Sequence, residues 1–224
     1  MSEERALATV ELLGALAYGQ LRAFETTVRA VTCAPDARRM DRVAEFSIHE
    51  HASYRVLRDH LVSLTDLGGA VMDRQKPLFD AFFDHAPIDD WVGACTFFAV
   101  GLPMAADFAR ELAPALEPET AMIVVGALAD RSPFEEFARE ELREHLAAED
   151  EREHIKHAVG ELLGRALTGF QAGIGDTDAL GVLLQEAEDA PDESGDELVK
   201  RMAMTVLENH RRRMHELGLE DLVE

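Results

Sequence analysis

Positive charge is scarce. Twenty-two Lys and Arg face 44 Asp and Glu, a formal net charge of −22. A field of that sign repels nucleic acid unless basic residues gather on one face. Two clusters could do so, Arg38, Arg39 and Arg42, and Arg211, Arg212 and Arg213. Both read as solvated helix faces, so nucleic acid is not the partner that charge predicts. Cysteine is scarcer still. Cys33 and Cys95 lie in apolar, helical contexts, which favours two buried thiols over a disulfide or a metal pair. No window reaches the uninterrupted apolar length of a membrane span; the nearest, Trp91 to Ala106, is short and holds Pro103. The first residues are acidic where a signal peptide is basic. Strand signals and repeats of fixed period are missing. Together these absences predict a cytoplasmic, all-helical protein without a membrane anchor, and 224 residues are ample for a core.

What is present is helical periodicity. Glu4 to Val31 reads as one helix with a stripe of Leu7, Val10, Leu13, Ala17, Leu21, Phe24, Val28 and Val31, and Gln20 on its edge. Asp36 is the expected N-cap of a second helix that ends near Asp66, before Gly68 and Gly69. A further segment starts near Gly69 and is interrupted or restarted at Pro77, and a short aromatic helix follows around Phe79, Phe82 and Phe83. A third long helix, Ile88 to Ala113, is apolar nearly all round and should therefore be central, with a kink at Gly101 and Pro103. Pro118 opens a fourth helix, and Ser132 to Glu135 matches a capping box with proline at the first helical position. Helical stretches are predicted to about Lys156, to about Gly173, from Gly175 to Ala190, and from Glu197 to Leu217 after an acidic linker. The expected organisation is a bundle over 1–175 with a C-terminal helical extension, 176–224, packed on it.

The second helix carries the anomaly. Met40, Val43, Ser47, Tyr54, Leu57, Leu61 and Leu64 share its inward face, and Glu50 lies on the centre line of that face with Val43 and Leu61. A lone carboxylate in an apolar core costs many kcal/mol unless it is paired, protonated or bound to a metal. Glu45 and His49 fall on the opposite face as a solvated pair, and His51 reads as packed or partly exposed. A bundle that builds a dinuclear metal site uses inward acids and Glu-x-x-His motifs, because i and i+3 face one point. In that frame position 53 is serine, a poor ligand for iron. The literal Glu151-x-x-His154, followed by His157, points away from the core. Asp107 is the first acid after the buried run and reads as an acid at its exit. No nucleophile elbow, phosphate loop or zinc-finger spacing occurs.

Several runs carry a resemblance. Leu12 to Phe24, Ala44 to Asp59, Val100-Gly101 with Ala105 to Phe108, Leu116 to Thr120, and His210 to Leu219 are similar to successive helices of a ferritin-like family abundant in actinobacteria. That family is related to the tRNA 2-methylthio-isopentenyladenosine hydroxylase, a non-haem di-iron enzyme. The resemblance implies an all-α, ferritin-like helical bundle with additional C-terminal helices, and an iron cofactor. It keeps Glu50 and Asp107 as metal ligands. It places Gln20 where an acid is expected and Ser53 where a histidine is expected, and it lacks a histidine between Asp130 and Glu136. Two function classes follow: an active di-iron hydroxylase, or a metal-free relative acting as a scaffold, a binding protein or a partner subunit. Missing ligands favour the second, with little or no hydroxylase activity. In that case Gln20, Ser53 and Glu50 satisfy one another by hydrogen bonds, with Glu50 protonated. A homo-oligomer or a partner protein is the expected assembly. A further alternative is a pocket for a small apolar ligand at Trp91, Phe97, Phe98 and Met104, residues that otherwise form plain core.

Overall fold

The computed structural model describes residues 2–129, 131–176, 179–187 and 193–219. All regular structure among them is helical. α1 (Glu3–Val31) and α2 (Ala37–Leu64) form the long hairpin on which the rest is assembled. Ser2 caps α1 and Asp36 caps α2, each side chain accepting the backbone N–H three residues on. α3 (Gly68–Arg74) and α4 (Lys76–Phe83) cross α1, and a central run then begins at α5 (Trp91–Thr96), capped by Asp90. α7 (Pro118–Leu128) packs along α2, and α8 (Ser132–His145) and α9 (Glu149–Asp176) cover the central run. α10 (Ala179–Ala187) lies on α1, and α11 (Gly195–Glu216) crosses α6 (Leu102–Leu112) and α10. The sequence prediction for Gly175 to Ala190 falls partly outside the described residues.

The expected kink takes a specific form. Between α5 and α6 the chain makes a π turn, Phe97–Gly101, in which Leu102 N–H bonds the Phe97 carbonyl. Pro103 has no N–H, and its ring would clash with the carbonyl four residues back. Widening one turn relieves both problems without breaking the helical run. The run Trp91–Ala115 is long and apolar enough to span a membrane, contrary to the sequence expectation, but 72% of its apolar window is buried inside the protein.

Two apolar clusters form the core. One gathers Phe46, Trp91, Phe97, Phe98, Phe134 and Met214; the other gathers Leu13, Leu57, Leu61, Leu112, Val124 and Leu183. α1 contributes Ala17 to the second cluster and Ala23 to the first, and α2 contributes Leu57 and Phe46 likewise. Gln20 and Glu50 therefore lie at the seam between them. Trp91, Phe97 and Phe98 are plain core rather than the lining of an apolar pocket.

Several sequence expectations are corrected here. Met40 and Leu64 are exposed, and the inward line of α2 is completed instead by Phe46 and Ser53. Leu7 and Val28 of α1 are exposed, while the buried face mixes small residues such as Gly14, Ala17, Gly19 and Ala23 with Leu12, Leu13 and Tyr18 and puts Gln20 inside rather than on an edge. Ser132 and Glu135 form no capping box: Arg131 is the N-cap of α8, and its side chain makes no cap bond. The capping box that does form is Ser194 with Glu197, at the start of α11.

Candidate functional site

Glu50 is fully buried, as its helical phase predicts, and its charge is answered by one residue. Arg131, in the junction between α7 and α8, is 1% exposed and is the largest fully buried side chain among the described residues. Its Nε donates to Glu50 Oε1 at 3.0 Å and its Nη2 to Oε2 at 3.0 Å. This is a side-on, two-pronged fit of guanidinium to carboxylate, the strong form of such a pair. The same Nη2 donates to Gln20 Oε1 at 2.5 Å. Gln20 Nε2 in turn donates to Glu50 Oε2 at 2.5 Å and to the Glu50 carbonyl at 3.1 Å. The amide thus has one orientation, oxygen to the guanidinium and nitrogen to the carboxylate. Of the three answers open to a buried acid, Glu50 has a paired partner. Breaking such a pair by removing one partner costs about 3–5 kcal/mol, because the other charge stays buried.

Ser53 is buried one turn further on but makes no hydrogen bond to Glu50 or Gln20. Asp107 is also buried, with partners of its own. Arg213 Nη1 donates to Asp107 Oδ2 at 2.5 Å and Arg110 Nη1 to Oδ1 at 3.2 Å. Arg213 therefore belongs to the interior and not to a solvated basic face. Beside it His210 is 1% exposed. Burial first, then the Arg213 charge, hold its imidazole down at about 4 against a partial opposing pull from Asp107. Its Nδ1 and two nitrogens of Arg213, Nε and Nη2, are buried without a hydrogen-bond partner.

The remaining candidates are dispersed. His154 pairs with Asp90 at 3.1 Å on the surface, and His157 is 74% exposed. Glu45 pairs with Arg42 rather than His49, whose ring stands edge-on to Phe134. Arg39 of the first basic cluster and Trp91 both donate to Glu141, tying α2, α5 and α8 together. Both cysteines are free; burial raises the thiol pKa of each, that of Cys95 far beyond its ordinary range. Two shallow grooves, of about 210 and 310 Å³, are lined mostly by charged residues of α2 and α8.

A metal ion does not fit the centre as built. The space against both Glu50 oxygens holds a permanently charged guanidinium, which has donors and no lone pair to give. Among the described residues no group of three or more His, Cys, Asp or Glu converges as a metal site requires. Sequence reasoning found Glu50 and missed Arg131. The signal available was the demand of a buried acid for a counter-charge, together with the interval 130–136 where the resemblance lacks a histidine.

The arrangement defines a class: a helical bundle with inward polar residues at the middle of its first two helices. Comparison with known proteins agrees. A family model for the ferritin-like domain of actinomycetes matches residues 4–187, so the chain belongs to that family. No curated protein sequence matches it. Among solved structures it is similar to a Synechococcus protein described as protein 19 with aldehyde deformylating oxidase activity, at 17% identity and TM-score 0.64, over 91% of this chain and 98% of that one. At that identity the likeness concerns the fold.

Proposed function

We propose that this protein is a metal-free member of the ferritin-like class, acting as a scaffold or partner subunit in the cytosol rather than as an oxygenase. The observation that carries this reading is Arg131. Its guanidinium lies against both oxygens of Glu50 and against Gln20, the positions from which a bound iron would be held. Iron there would meet a fixed positive charge and, among the described residues, too few anionic ligands. The sequence runs similar to the actinobacterial ferritin-like family support descent from a metal-binding bundle, and Arg131 supports loss of the chemistry. The assembly we infer is a homo-oligomer or a complex with a partner protein, and the formal charge of −22 disfavours nucleic acid.

The test is metal analysis of protein purified after expression in iron-supplemented medium. We expect iron well below one per chain and no ferric charge-transfer absorption. A stoichiometry near two irons per chain would sink the reading and restore the active di-iron hydroxylase.

A further inference from the structure

Two acids survive on inward faces, and each is closed by arginine from an element folded over it. Arg131 enters from the α7–α8 junction to reach Glu50, and Arg213 enters from α11 to reach Asp107. Arg110, the second partner of Asp107, also donates to the Ala129 carbonyl at 3.0 Å, two residues before Arg131. At Glu50 the fit is the more complete. The Nε and Nη2 edge of the guanidinium is fully used by carboxylate and amide, and Gln20 is turned so that its oxygen serves the cation and its nitrogen the anion. Such an arrangement is specific for a planar cation with paired N–H groups, and a point charge would leave part of it unused.

We propose that the Glu50–Gln20 centre is a built cation site, selective for guanidinium, that the chain fills with its own Arg131 and thereby closes to free ions. The proposal rests on the metal-free reading above and adds what the site recognises. The ligand class is a guanidinium-type cation, held by the Glu50 carboxylate and Gln20 Oε1, in a pocket sealed by the two apolar clusters. No bond is made or broken, and a free cation enters only where the Arg131 side chain has been removed.

The experiment is rescue of Arg131→Ala. Thermal melts are recorded in low-millimolar guanidinium or methylguanidinium chloride, against sodium and tetramethylammonium chloride at equal ionic strength. We expect the variant's melting temperature to rise by about 2–4 °C with the guanidinium salts alone, while that of the native chain does not rise. A variant that responds to guanidinium as it does to sodium overturns the proposal. Arg131→Lys keeps the charge and decides the matter should the alanine variant fail to fold. We expect it to melt below the native protein, without rescue; lysine matching arginine in stability would equally overturn a site built for the planar fork. Iron bound by the native chain would defeat the metal-free reading itself. Failed rescue in an iron-free protein defeats only this extension.

Discussion

At the scale of single residues the interior is organised by pairing, and pairing is what periodicity cannot see. Glu50 was legible because an acid on the midline of an apolar face is out of place wherever it occurs. Its partner was not, because Arg131 is 81 residues away in a non-helical junction, where no repeat speaks and arginine is expected outside. Arg213 escaped for a related reason. Three consecutive arginines span about 200° of a helix at 100° per residue, so one of them has to face the body of the protein even when the run looks solvated. His210, one turn earlier, makes this testable by pH. Its folded pKa, about 4, lies below the ordinary 6.5. The unfolded chain therefore takes up the proton first as pH falls. The stability involved is intact above 6.5 and is lost progressively toward 4, about 2 kcal/mol of it by pH 5. His210→Leu should remove that component. In denaturant unfolding at pH 7 and pH 5, the native protein should lose about 2 kcal/mol more than the variant. Equal losses would show that His210 is not the group responsible.

At the scale of helices, existence and order were readable, while faces were readable only where large side chains do the packing. α2 was phased correctly because Val43, Leu57 and Leu61 are both apolar and buried. α1 was phased only in part, through Leu13 and Ala17, because much of its packing is done by small residues. Gly14 meets Val71 and Gly19 meets Phe79, so that a Cβ on either would come within 2.3 and 2.6 Å of a side-chain carbon. Hydropathy gives weight to Leu7 and Val28, which face out; close helix approach selects glycine and alanine, which carry little weight. The same device joins α10 to α11, where the contact is backbone on backbone. A Cβ on Gly195 would lie 2.9 Å from the Gly181 Cα and 3.1 Å from its carbonyl carbon, with no flexible side chain able to give way. Gly195→Ala should therefore cost about 1–3 kcal/mol, despite alanine's better helix propensity. The loss should be local. Hydrogen exchange should accelerate in α10 (Ala179–Ala187), which is clamped between α1 and α11, and stay slow in α2. Unchanged protection in α10 would mean that the crossing relaxes freely and that the glycine pair is not what seats it.

At the scale of the whole molecule the opposing forces are a large uniform charge and a few well-placed pairs. The all-helical fold was evident from missing strand signals and recurring apolar stripes, and the ferritin-like family match over residues 4–187 agrees with it. The formal charge of −22 acts on that fold as self-repulsion, which works against compactness and which salt screens. Most ion pairs on the surface, such as Arg42 with Glu45 and Arg58 with Asp59, sit in high dielectric and contribute little. The Arg131–Glu50 pair is beyond the reach of salt, with both side chains sealed at 1% and 0% exposure. Salt should therefore remove more repulsion than attraction. Raising sodium chloride from about 0.01 M to about 1 M shortens the Debye length from about 30 Å to about 3 Å, and the melting temperature should climb across that range, most steeply at its dilute end. A melting temperature that falls instead would mean that exposed pairs, and not the buried one, carry the electrostatic stability of the bundle. The distinction matters for the metal-free reading, because a core held by a sealed guanidinium stays assembled under conditions that strip surface pairs.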